Sequence, residues 1–104
     1  MSKFTHWTLH CRDLQRGPVT RIAVTNTTEA GRVQGVLSDG RRTSRPAREC
    51  WGQYPSLAAA AEVELSVRTL RKSYLDKRER LSEQKEALRD AERSDLVDLL
   101  ERNP

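Results

Sequence analysis

Cysteine is scarce in this 104-residue chain: only Cys11 and Cys50 occur, with no Cys-x-x-Cys spacing. A disulfide framework and the common thiolate zinc patterns are therefore excluded. In a reducing compartment the two thiols read most simply as small buried side chains. Histidine is as rare, with only His6 and His10. On a strand these two share a face that Cys11 does not, so the three cannot converge on a metal. No Gly-x-Ser-x-Gly elbow, P-loop or glycine-rich dinucleotide fingerprint occurs. The carboxylates concentrate in the second half, where most have cationic neighbours at helical spacing. They read as a solvated face, not as acid/base pairs. Nothing in the sequence calls for a cofactor or a metal, and we expect no enzyme.

Long apolar runs are missing as well. No stretch approaches the roughly 18 residues of a membrane span. The first residues have no apolar segment of the kind a signal peptide needs, so a cytoplasmic protein without a membrane partner is expected. Leu, Ile, Val and Phe supply only 21 residues. So thin a core usually needs help from a partner chain, a metal or disulfides.

The charge that is present is unevenly placed. Residues 1–56 hold nine Lys/Arg against four Asp/Glu, a net +5, whereas residues 57–104 hold ten against eleven, a net −1. Eight of the nine cations in the first half are arginine, whose planar fork suits carboxylate and phosphate.

Two kinds of periodicity divide the chain at about residue 55. Phe4 to Cys11 alternates, with Trp7, Leu9 and Cys11 on one face and His6, Thr8 and His10 on the other. Gly17-Pro18 marks a turn, and Val19–Thr25 is β-branched with Ile22 and Val24 inward. After the turn ending at Gly31 comes a third strand, Arg32–Leu37. Its Val33 and Leu37 point inward, and Gly35 marks a bulge or close backbone approach. Ser38-Asp39-Gly40 is a hairpin signal. The piece from Arg42 to Trp51 is interrupted by Pro46 and reads as an edge strand. Short turns between these strands predict an antiparallel meander of three to four strands.

Ser56 is the expected N-cap of a helix. From Leu57 to Arg93 there is no Gly, Pro or Asn, and strong helix formers dominate. A continuous helix over 57–93 would reach about 55 Å. Ser94 with Asp95 and Asp98 reads as a fresh cap for a short terminal helix over 95–101. A hairpin broken near Asp76 or Ser82 is the competing arrangement. The fold class expected is α+β: a small basic β domain (1–55) and a helical oligomerisation region (56–104).

At 100° per residue, Ala60, Val63, Val67, Leu70 and Tyr74 form one stripe, and Leu57, Ala61, Leu65 and Leu75 a second. Together they span roughly 220°, more than one neighbour covers. A homo-oligomer, with a dimer favoured, follows as an expectation. Its interface would use Val63, Val67, Leu70 and Tyr74, continued by Leu81 and Leu88 along a half-filled coiled-coil seam.

The densest chemical feature is residues 40–48, with Arg41, Arg42, Arg45 and Arg48 followed by Trp51. Guanidinium forks for phosphates and an aromatic ring for a base would suit nucleic acid or a nucleotide, helped by Arg12, Arg16, Arg21 and Arg32. A charged strand edge that resists aggregation accounts for the same residues. The reading preferred here is a small non-enzymatic protein–protein interaction module, an adaptor or inhibitor that self-associates. By analogy its size fits the accessory factors of phages and mobile elements. Nucleic-acid binding is the alternative.

Overall fold

A computed structural model describes residues 4–103. Residues 1–3, at the start of the expected β domain, and Pro104, expected to end the terminal helix, lie outside the described residues. The chain is α+β, as the two periodicities require. Five strands come first: β1 (His6–His10), β2 (Thr20–Thr27), β3 (Arg32–Leu37), β4 (Arg42–Pro46) and β5 (Cys50–Tyr54). Two helices follow, α1 (Leu57–Arg80) and α2 (Lys85–Glu101).

The sheet is wholly antiparallel in the order β4-β3-β2-β1-β5. The first four strands form the expected meander, and a fifth strand is added. The segment read as one edge strand is divided at Pro46, where a turn of 3-10 helix (Ala47–Glu49) starts. Proline supplies no N–H for a continued ladder. The chain swings across and returns beside β1, where Glu49 O accepts from Cys11 N at 2.9 Å. Two bulges shape the strands. Thr25 is the extra residue of β2 against β3, and an extra residue on β5 falls at Gly52, whose φ is +81°. A Cβ at Gly35 would sit 2.3 Å from Ala23 O, so the expected close backbone approach is what fixes glycine there.

The register pairs Trp7 with Ala23 and Thr8 with Ile22. Leu9 and Ile22 consequently lie on opposite faces, and the sheet has a core on each. On one face Ile22, Val24 and Val33 cluster with Leu37, Ala47 and Cys50. On the other, Leu9, Leu14 and Tyr54 meet Ala60, Val63, Val67, Leu96 and Leu100 from the helices.

Ser56 caps α1 as expected, its Oγ accepting from Ala59 N at 3.1 Å. The continuous helix over 57–93 is not formed. It ends at Arg80, turns through Leu81 and a 3-10 turn (Ser82–Gln84), and comes back antiparallel as α2. Ser94 caps nothing: it lies inside α2, and the expected terminal helix over 95–101 is the last part of that helix. The reason is burial. Only by folding back do Leu96 and Leu100, 0 % and 3 % exposed, reach the sheet. Each such side chain contributes about 1.5–3 kcal/mol, more than the few hydrogen bonds lost at the turn.

Candidate binding surfaces

Several polar side chains are occupied in holding the fold. The Arg71 guanidinium reaches from α1 into the β1–β2 loop. There it donates to Leu14 O and Gly17 O at 2.8 Å, to Asp13 O at 3.2 Å and to Cys11 Sγ at 3.1 Å. The Cys11 thiol in turn donates to Asp13 O at 2.8 Å. Burial pushes this thiol up, opposed by the Arg71 charge. Farther along the hairpin, the fully buried Glu92 accepts from Arg78 Nη1 at 2.5 Å and from Gln15 Nε2 at 3.1 Å. Tyr74 donates its hydroxyl proton to Asp95, and Lys77 lies 4.7 Å from the Tyr74 ring centre. The hydrogen bond to Asp95, more than burial, raises the Tyr74 phenol above its ordinary range. Arg71, Glu92 and Tyr74 each join segments distant in sequence.

The other candidates for chemistry are equally dispersed. His10 Nε2 lies 2.9 Å from Glu49 Oε1, binding β1 to the 3-10 turn, and the His10 hydrogen bond lowers the Glu49 carboxyl. Cys50, half-buried behind β4, is pushed up to about 11 by burial and is a weak nucleophile at neutral pH. Both cysteines are free thiols. Among the described residues no three His, Cys, Asp or Glu side chains converge on a metal position, and no helix is long and apolar enough to cross a membrane.

The arginine run does not form one surface. Arg41 pairs with Asp39 at 2.7 Å across the β3–β4 turn and holds its carboxyl low. On β4, Arg42 stands opposite Val36 and Arg45 opposite Val33, so the two side chains leave opposite faces. Arg48 sits on the 3-10 turn beside Glu49. Trp51, expected to stack on a base, packs against the helix-side core with its indole N–H buried and without a partner. It lies on β5, at the other side of the sheet from β4. Of the further arginines, Arg21 lies 3.6 Å from Glu64, and Arg32 donates to Ser44 Oγ and Ser44 O at 2.9 and 3.0 Å. Arg12 and Arg16 are exposed around the β1–β2 loop.

The residues expected between copies are largely used within one chain. Val63, Val67 and Tyr74 are buried by the sheet and by α2, and Leu70 is half-buried. This corrects the assignment of Val63, Val67 and Tyr74 as an intermolecular seam, where the returning α2 takes the place of the second chain; Leu70 keeps part of its surface open. Leu88 is half-buried, and Leu81 is exposed at the hairpin turn. The second stripe remains open, with Leu57, Leu65 and Leu75 exposed by 38 %, 64 % and 49 %.

The helices cover β1, β5 and part of β2, leaving the β2–β3–β4 half of that face uncovered. A groove of about 1110 Å³ runs along it. Phe4, Trp7 and Leu57 form its apolar wall, and Ala23 and Val36 lie in its floor. Arg42, Thr43 and Ser44 form the opposite rim, with Thr25 and Gln34 between. Phe4 and Trp7 pack edge to face, with ring centres 6.1 Å apart. Among the described residues no carboxylate lines this groove, and Arg42 is its single charged residue. Comparison with protein-family models, with curated proteins and with solved structures finds no match to the chain.

Sequence reasoning missed this groove because its wall draws on β1 and on the first residue of α1, which meet only after folding. One signal was available. Alternation on β4 already separates position 42 from position 45.

Proposed function

We propose that the protein is a cytoplasmic, non-enzymatic protein–protein interaction module, an adaptor or inhibitor, that takes an extended acidic segment of its partner in the groove over β2, β3 and β4. One observation carries this reading: a long trough with an apolar wall, hydroxyl and amide groups along its length, and arginine as the only charge among the described residues that line it. Apolar side chains of a bound segment would rest on Phe4, Leu57 and Val36, and a carboxylate would meet the Arg42 fork. The net +5 of residues 1–56 steers an acidic partner toward this half of the molecule.

The test is a display selection of random peptides on the full chain, followed by fluorescence anisotropy of the enriched sequences. Enriched peptides should carry Asp or Glu beside an apolar residue. Arg42→Glu and Phe4→Ala should each weaken them about 10-fold or more. Arg45→Glu, on the other face, should leave binding unchanged. Peptides without acidic residues, or binding indifferent to Arg42, would refute the proposal.

Nucleic-acid binding is the second reading, favoured by the absence of carboxylates among the described residues that line the groove and by the exposed Phe4 ring. Oligo(dT) binding that falls steeply with salt and vanishes in Arg42→Glu would support it over the peptide reading.

A further inference from the structure

A second groove, about 1050 Å³, lies on the outer side of the helical hairpin between α1 and α2. Its apolar lining comes from Leu65, Leu70 and Leu99. Asp95, Asp98 and Glu101 line it from α2 against Arg102, the single cation among the described residues that line it. It is therefore an acidic patch on a chain whose net charge is +4.

The complementary feature is on the same molecule. The exposed stripe of α1 that carries Leu57, Leu65 and Leu75 also carries Lys72 and Arg68, the latter 65 % exposed at its side chain and 3.2 Å from Glu64 on the same helix, all within an arc of roughly 80° at 100° per residue. Leu65 is 64 % exposed and belongs to both the stripe and the groove. A helix face that is apolar and cationic thus adjoins a trough that is apolar and anionic.

We infer that the occupant of this groove is a second copy of the same chain, each α1 stripe lying along the other's groove. The pairing is isologous, with the two α1 helices antiparallel about a twofold axis at the level of Leu70. The register follows from contacts within the hairpin. Tyr74 meets Asp95 and Arg78 meets Glu92, which sets Asp98 near the level of residue 71 of α1 and Glu101 near that of residue 68. Reflected through Leu70, Leu65 comes level with Leu75 of the partner subunit. Arg68 comes level with Asp98 of the partner subunit, and Lys72 approaches Glu101 of the partner subunit. Each contact occurs twice. The two surfaces share Leu57, but Leu65, Lys72 and Glu101 lie outside the sheet groove, so variants there test this pairing without touching the peptide site.

Sedimentation equilibrium of the full chain over a wide concentration range tests the inference. The expected species has twice the 11.9 kDa chain mass and dissociates more readily at high salt. Leu65→Asp should weaken association by about 100-fold or more, with an unchanged far-ultraviolet spectrum because the residue is exposed. Lys72→Glu and Glu101→Lys should each weaken it by roughly 3- to 10-fold, and the double variant should recover. A wild-type chain that stays monomeric at its highest soluble concentration would overturn the inference, even if a basic amphipathic peptide fills the groove. A dimer unaffected by Leu65→Asp, or a double variant no tighter than either single one, would overturn it as well.

Discussion

Removing the Arg78 guanidinium should cost far more than an exposed ion pair is worth. Glu92 has no exposed surface, and Arg78 is only 14 % exposed at its side chain. Arg78 bonds Oε1 at 2.5 Å, Gln15 adds a neutral donor at 3.1 Å, and Oε2 has no partner. In Arg78→Ala the buried carboxylate keeps one amide donor. Stranding such a charge costs about 3–5 kcal/mol. A chain of this size has on the order of 5–15 kcal/mol in all, so the midpoint of thermal unfolding should fall by roughly 15 °C. Glu92→Leu alone should cost about 1–2 kcal/mol, because Arg78 can extend its charge toward water. The double variant removes both charges and should lie within about 1 kcal/mol of the wild type. Urea unfolding followed by circular dichroism, with unchanged slope, supplies all four corners of the cycle. A loss below about 1 kcal/mol in Arg78→Ala would refute the reasoning, as would single effects that simply add.

The remaining predictions concern the loop clamp, the sheet and the alkaline limb of stability. Arg71→Ala leaves the loop carbonyls of Leu14 and Gly17 without their guanidinium donor, while Asp13 O keeps Gly17 N and the Cys11 thiol, and should cost about 2–4 kcal/mol. Amide exchange should quicken over residues 11–17, and Arg71→Lys should recover only part of the loss, since a point charge cannot reproduce the fork. Gly35→Ala drives a methyl group to 2.3 Å from Ala23 O and 2.7 Å from Ile22 Cγ2, and should cost about 2 kcal/mol or more in a thermal melt. Tyr74 titrates higher in the folded chain than in the unfolded one. Its contribution is therefore complete below the ordinary phenol value of about 10 and is lost as pH rises through the folded value. Stability measured from pH 8 to 12 should decline less in Tyr74→Phe than in the wild type, and equal declines would show that the Asp95 contact contributes nothing.

The sequence by itself determined the kinds of element and most of their limits. β-branched alternation, Gly31 and Gly40 in turns, Pro46 as a break and Ser56 as a cap are local effects, and each acts where it was read. The tertiary structure decided what these elements meet. Nothing near Ser82 breaks a helix strongly, and the hairpin forms because Leu96 and Leu100 gain burial on a sheet more than 40 residues earlier in the chain. The same long-range burial draws the hydrophobic stripe of α1 inward, leaves Leu65 outside, and pairs β5 with β1 instead of β4. Propensity is summed over neighbours along the chain, whereas the grooves are made by residues that become neighbours only when the apolar surface leaves water.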